Sequence, residues 1–220
     1  MNLEFKKRLM TTLLLIPSMI LMYINSYFFI LAIFMISMIA ILEFIKLMSQ
    51  IFKKKSYLIL FFSIVASIYI LLFSIIFYDL NTLSEVNNLN SLKRYIWYML
   101  LTCIASDIGG YLIGKSFKGP KLTKLSPNKT ISGSLGSFIF SIVLLSFLML
   151  IENSFNFYII LLAFITSLGC QVGDIFFSFL KRKAKVKDTG NLLPGHGGIL
   201  DRIDGILFGI PFGILGMWII

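Results

Sequence analysis

Residues 178–204 read S-F-L-K-R-K-A-K-V-K-D-T-G-N-L-L-P-G-H-G-G-I-L-D-R-I-D, wedged between two long apolar runs at 155–180 and 199–220. Each run is long enough to cross a bilayer, whose hydrocarbon core takes about 20 apolar residues of helix. The polar insert holds seven Lys, Arg or His residues, three Asp and four Gly. Connectors between membrane spans are commonly brief and bland, so this density points to chemistry at the membrane surface.

The rest of the chain has the same character. Hydrophobic residues make up 58% and charged residues 14%, with a mean hydropathy of +0.91, whereas soluble domains carry roughly 25% charged residues. A length of 220 residues suits one membrane-embedded domain over 1–220. The fold class expected is all-α, a polytopic helical bundle with seven spans at 9–24, 27–48, 57–78, 95–114, 131–151, 155–180 and 199–220. Lys6, Lys7 and Arg8 ahead of the first run mimic a signal peptide, but no small-residue cleavage pattern follows, and the run reads as a retained span. A three-span region, 1–94, precedes a catalytic region, 95–220, with long polar loops at 115–130 and 181–198. Cys103 and Cys170 sit in apolar segments and read as small buried hydrophobes, with no disulfide or zinc pattern.

Orientation follows from the cations. With the N-terminus in the cytoplasm, every connector expected inside is Lys/Arg-rich, and of the 20 Lys and Arg only Lys93 and Arg94 fall outside. Both long loops are then cytoplasmic. The net charge of +10 therefore reads as membrane orientation and contact with anionic lipid, with no call for nucleic acid. A multi-pass protein of the cell membrane with a cytoplasm-facing site is expected.

Three acids lie inside spans: Glu43, Asp107 and Asp174. A charge there costs at least about 2.5–3.5 kcal/mol on insertion scales, so it is normally paired or faces a hydrated cavity. Asp107 lies eight residues before Lys115 and Asp174 seven before Lys181. Both carboxylates thus sit roughly 10–12 Å below the cytoplasmic edge at 1.5 Å per residue. They either converge in one hydrated pocket or act as separate structural acids paired with Lys or Arg. Glu43, three residues from Lys46, reads as structural. Asp201 and Asp204 open the last span on one helical face; such a pair either binds a cation or serves the helix dipole. Carboxylates in a hydrated pocket are the hard oxygen ligands that Mg²⁺ takes, with water and phosphate completing the shell.

The loops supply the opposite charge. Gly190 and Pro194-Gly195-His196-Gly197-Gly198 can bring backbone N–H groups close to an anion beside Lys181, Arg182, Lys183, Lys185 and Lys187. A basic run alone would be topogenic. The combination with glycines and acids favours a site, and in that setting His196 reads as a phosphate donor or acid–base group. In the other loop, Ser126-Pro127-Asn128-Lys129-Thr130 leads into Ile131-Ser132-Gly133-Ser134-Leu135-Gly136, whose small residues allow close approach of a ligand or a neighbouring helix. No G-x-x-x-x-G-K-[ST], G-x-S-x-G or H-E-x-x-H motif occurs, which removes support for P-loop, hydrolase and zincin readings.

Ser178 to Asp204 resembles the signature of the phosphatidate cytidylyltransferases (CDP-diacylglycerol synthases). Ser178, Lys181, Arg182, Lys187, Asp188, Gly190, Pro194, His196, Gly197, Gly198, Asp201, Arg202 and Asp204 all fall in place. Asp107-Ile108-Gly109-Gly110-Tyr111 through Lys129-Thr130 is similar to a second block of that family, with one departure: Ser132 stands where many members carry an acid. The resemblance implies CTP and phosphatidate as substrates, with CDP-diacylglycerol and pyrophosphate as products. It implies Mg²⁺ as metal, with K⁺ as an optional companion. Asp174 and Asp201 would be the principal ligands, with Asp107 and Asp204 supporting. Lys181, Arg182 and His196 would serve catalysis, and Ser126, Lys129, Lys187, Asp188, Gly197, Gly198 and Arg202 would bind substrate. Competing readings are another CTP-using lipid enzyme, of the polyprenol kinase or CDP-archaeol synthase type, and a membrane transporter. A transporter would spread its acids through the membrane depth, whereas these crowd one half.

Gly205, Gly209 and Gly213 place two overlapping G-x-x-x-G motifs on one face of the last span, with Pro211 among them. That face suits close helix packing, either inside the chain or as a homodimer seam.

Overall fold

A computed structural model describes residues 3–53, 55–86, 90–123, 126, 129–153, 156–192, 195 and 197–219. The elements are α1 (Leu3–Ile24), α2 (Ser26–Ile51), α3 (Ser56–Val86), α4 (Asn90–Phe117), α5 (Ile131–Ile151), α6 (Phe157–Lys183), α7 (Leu200–Ile203) and α8 (Ile206–Ile219). Among the described residues there is no strand beyond one bridge between Lys121 and Thr130. The fold is therefore the all-α membrane bundle expected. Among the described residues, five helices, within α2 to α6, are long and apolar enough to cross a membrane.

The first six expected spans each fall on one helix. The last is divided. Asp204 and Gly205 form a turn between α7 and α8, with the Gly205 N–H donated to Asp204 Oδ1 at 3.0 Å. An Asp side chain that takes a local amide competes with helix continuation. The 14 residues of α8 then span about 21 Å, short of the roughly 30 Å of a hydrocarbon core.

The chain falls into two compact units, residues 1–86 with 180–203, and 87–179 with 204–220. In the first unit Asn25 ends α1 and caps α2, accepting the amides of Tyr27 and Phe28 at 3.0 and 3.1 Å. That cap satisfies two of the four amides a helix start leaves unpaired. Helices α2 and α3 pack through Phe29 on Phe77, ring centroids 5.5 Å apart, and through a Ser37–Ser74 hydroxyl pair at 2.6 Å. Tyr27, Leu31, Phe34, Tyr57 and Leu60 stay exposed. That suits surfaces facing lipid, where burial brings no hydrophobic gain.

In the second unit small residues set the spacing. On α4, Gly109, Gly110 and Gly114 face Gly133, Gly136 and Ser137 on α5, so closely that a Cβ on Gly109 would overlap the Gly136 carbonyl. Hydroxyls stitch the same helices: Ser137 donates to the Ser106 carbonyl at 2.8 Å, and Ser106 meets Ser167 of α6 at 3.0 Å. Such bonds contribute about 0.6 kcal/mol each within membranes. Tyr98, Leu145, Met149, Ile159 and Ala163 form an apolar cluster among α4, α5 and α6.

The glycine face of α8 is packed inside this unit. Gly205, Gly209 and Gly213 are buried, against Cys170, Cys103 with Thr166, and Met99 with Thr166 respectively. A Cβ at Gly209 would stand 2.6 Å from Cys103 Sγ and 3.2 Å from the Thr166 carbonyl. Overpacking of this kind costs about 1–3 kcal/mol or more. Gly209→Ile is therefore expected to lower the unfolding temperature in detergent clearly, and Gly209→Ala less so. An unchanged melting curve for the Ile variant would show that this face is not a packing seam.

Candidate active site

In the second unit, α4 supplies Asp107 and α6 supplies Cys170 and Asp174, with one ligand atom of each within 4.8 Å of the others. Helical spacing explains the grouping. Cys103 and Asp107 are four residues apart, as are Cys170 and Asp174, and residues four apart stack on one face. The Cys170 thiol lies 3.7 Å from Asp107 Oδ1 and 3.9 Å from the Cys103 carbonyl, and both cysteines are free and buried. Asp107 is exposed as a residue and Asp174 is half-buried. Glycine is required at 205, because a Cβ there would fall 3.0 Å from Asp174 Oδ1 and overlap Cys170 Sγ.

Lys129 places its ammonium 2.6 Å from Asp174 Oδ2. The loop carrying it is shaped by its own backbone. Leaving α4, the chain turns at Lys118 and Gly119, both with positive φ, 51° and 112°. Leu122 donates to the Lys129 carbonyl at 2.8 Å, Lys129 to that of Ser126 at 3.1 Å, and Ile131 to that of Pro120 at 3.0 Å. Thr130 then caps α5 by accepting the Gly133 amide at 3.1 Å. The Ser132 hydroxyl donates to the Lys118 carbonyl, so this serine ties the loop back to the end of α4. Ser126, within the loop, is buried. The small residues that open α5 thus serve helix contact, one of the two uses expected.

The first unit holds a second group, at the end of α6 and along the following loop. Lys181 donates to Asp201 Oδ1 at 2.8 Å, with side chains only 15% and 5% exposed. Asp201 Oδ2 accepts the Thr189 amide at 2.8 Å, the Thr189 hydroxyl at 3.1 Å and the Gly198 amide at 3.0 Å. Burial pushes the Asp201 carboxyl up, but Lys181 and the Gly198 and Thr189 amides outweigh it and hold it below the usual carboxylate range. A carboxylate has about four lone-pair sites, so Oδ2 is saturated while Oδ1 keeps one beyond the ion pair. Around this pair Arg182, Lys183, Lys185, Lys187, Asp188 and Arg202 are exposed. Gly197 turns with φ 85°, and a Cβ there would stand 2.9 Å from Asp201 Oδ2 and 3.3 Å from Asp188 Cβ. His196 and Pro194 lie outside the described residues, as do Pro127 and Asn128.

The structure therefore brings Asp107 to Asp174 and Lys129, and Lys181 to Asp201. Asp174 and Asp201 belong to different units, and Asp204 follows α7 at the start of the second unit's last segment. Glu43 is a structural acid, as expected, but its partner is the loop: it accepts the Thr189 hydroxyl and the Ile199 and Leu200 amides. Thr189 and Cys170 were not singled out as site residues. The signal for Cys170 was its spacing of four from Asp174; nothing in sequence alone marks Thr189.

Two hard carboxylate oxygens side by side, with an ammonium at their edge, suit an oxygen-ligated divalent cation that meets phosphate. The soft Cys170 sulfur adds nothing for Mg²⁺. Residues 63–220 match the model of the cytidylyltransferase family. The chain is 41% identical over 132 residues to the phosphatidate cytidylyltransferase of Bacillus subtilis (strain 168), covering 58% of this chain and 49% of that protein. It is 44% identical over 115 residues to the enzyme of the same name in Helicobacter pylori (strain J99), covering 52% and 43%. In Staphylococcus aureus (strain COL) the figures are 43% over 121 residues, 54% and 46%. The matched stretch thus spans about half the length of these curated relatives.

Proposed function

The chain belongs to the cytidylyltransferase family, and we propose that it transfers CMP from CTP to phosphatidate, giving CDP-diacylglycerol and pyrophosphate. The observation that carries this reading is the Asp107–Asp174 carboxylate pair with Lys129 at its edge. A phosphate oxygen of phosphatidate attacks the α-phosphorus of CTP, a new P–O bond forms, and the bond to the bridging oxygen breaks as pyrophosphate leaves with its electron pair. Two polyanions must meet, so neutralisation and in-line positioning dominate the barrier.

The donor set fits Mg²⁺, which when bound supplies Lewis-acid neutralisation of phosphate charge. Asp107 and Asp174 would hold it, with Asp204, of the same unit, as a supporting acid. Lys129 and Lys181 hold position through Asp174 and Asp201. An ammonium carries three donors, and the Lys129 pair uses one, so Lys129 can meet a phosphate without leaving its carboxylate. Arg182, Lys187 and Arg202, which are exposed, would gather phosphate oxygens. No covalent enzyme intermediate is required. The charge distribution supports a cytoplasmic N-terminus and a cytoplasm-facing site in the cell membrane.

The test is purified protein in detergent with labelled CTP and Mg²⁺, supplied with phosphatidate or, in parallel, a polyprenol. Label is expected in CDP-diacylglycerol only. In sealed membranes, inside-out vesicles should use externally added CTP and right-side-out vesicles should not. Label transfer to polyprenol alone, or the opposite sidedness, would overturn the substrate or the orientation respectively.

A further inference from the structure

Glu43 lies on α2, ahead of the family-matched residues 63–220. Its side chain is nevertheless the centre on which the signature loop is wound. An acid in an apolar helix is costly unless its oxygens are engaged, and Glu43 is only 8% exposed. Oε1 accepts the Ile199 amide at 3.1 Å, and Oε2 accepts the Leu200 amide at 2.9 Å and the Thr189 hydroxyl at 2.9 Å. Two of these donors are amides at the start of α7, which the helix itself leaves unpaired.

Two glycines of the signature are explained by the same carboxylate. A Cβ on Gly190 or on Gly198 would overlap a Glu43 oxygen, so both positions must be bare for the loop to close on it. The Thr189 hydroxyl stands 2.9 Å from Glu43 Oε2 and 3.1 Å from Asp201 Oδ2, so its one proton is shared between the two carboxylates. Thr189 therefore joins the α2 acid to the acid that holds Lys181.

We propose that Glu43 is a positioning residue for nucleotidyl transfer, holding Thr189, Gly190 and residues 198–200 in the arrangement that presents Asp201 and Lys181 to substrate. It touches no substrate and acts through Thr189 and the α7 amides. The inference rests on the transfer reaction proposed above. Gln at 43 keeps the length and shape but turns an NH₂ donor toward amides or a hydroxyl that also donate. Groups that orient a metal ligand or its neighbours typically account for about 10–100-fold in activity.

The experiment compares wild type, Glu43→Gln, Thr189→Val and the double variant by steady-state kinetics and by amide hydrogen exchange. Glu43→Gln is expected to lower kcat by about 10–100-fold, with faster exchange in a peptide covering 189–200 and unchanged exchange in α5. The double variant should lose little beyond Glu43→Gln alone, because both changes cut one connection. Wild-type kcat and exchange in Glu43→Gln, or fully multiplicative losses in the double variant, would overturn the proposal. Should Glu43→Gln fail to fold, Thr189→Val decides: loss of turnover with faster loop exchange supports the link, and wild-type behaviour removes it. A wild-type protein inactive on CTP and phosphatidate would instead defeat the reaction, while the exchange data would still report whether Glu43 holds the loop.

Discussion

Asp174→Asn should reduce transfer by at least about 100-fold, beyond the usual effect of a group that merely supports a ligand, while leaving the protein folded. The two halves of that expectation have separate causes. Turnover falls because Asn offers one neutral oxygen where a carboxylate offered a charge beside Asp107. Stability survives because Lys129, the partner left behind, has a side chain 30% exposed and can be hydrated where it stands. With side chains 30% and 20% exposed, the pair lies between exposed pairs, which contribute about 0.2–1 kcal/mol, and buried ones, which cost about 3–5 kcal/mol to break. The measurement is kcat across a Mg²⁺ titration together with a melting curve in the same detergent. Near-normal turnover at saturating Mg²⁺ would remove Asp174 from the ligand set. A collapse of the melting curve would instead make it a structural acid, the alternative that its pairing with Lys129 keeps in play.

The parts of this architecture legible in the sequence are those governed by local periodicity. Apolar runs marked helices α1 to α6, and counting residues back from Lys115 and Lys181 put Asp107 and Asp174 at matched depth. The packed glycine face of α8 was visible as a four-residue repeat, because that spacing is itself the packing rule. The break at Asp204–Gly205 was harder to see, since it depends on an Asp side chain taking the next amide and on Gly205 fitting against Cys170 and Asp174. Least legible was the partner of Glu43. From sequence, Lys46 three residues away is the natural guess. The actual donors lie beyond four intervening helices, and only folding of the loop onto α2 reveals them. Local spacing constrains what shares a helix face, not which distant loop settles on it.

Asp201→Asn should behave differently from Asp174→Asn, losing both activity and stability. Lys181 and Asp201 are 15% and 5% exposed, so the pair is buried. Removing one partner of a buried pair costs about 3–5 kcal/mol, because the other charge is stranded without water. Asn cannot satisfy both sides. With its oxygen toward the Thr189 and Gly198 amides, its NH₂ faces the Lys181 ammonium; turned over, it faces two amides and a hydroxyl that also donate. The expected outcome is a markedly lower melting temperature and turnover reduced beyond about 100-fold. Adding Lys181→Met separates the two effects. Without a stranded ammonium the double variant should recover part of the lost melting temperature, since replacing a buried pair by apolar groups is often neutral or stabilising. It should recover no activity, because the cation proposed to face substrate is gone as well. A stable, inactive Asp201→Asn would mean that Asp201 serves chemistry alone, and full activity in the double variant would take both residues out of the reaction.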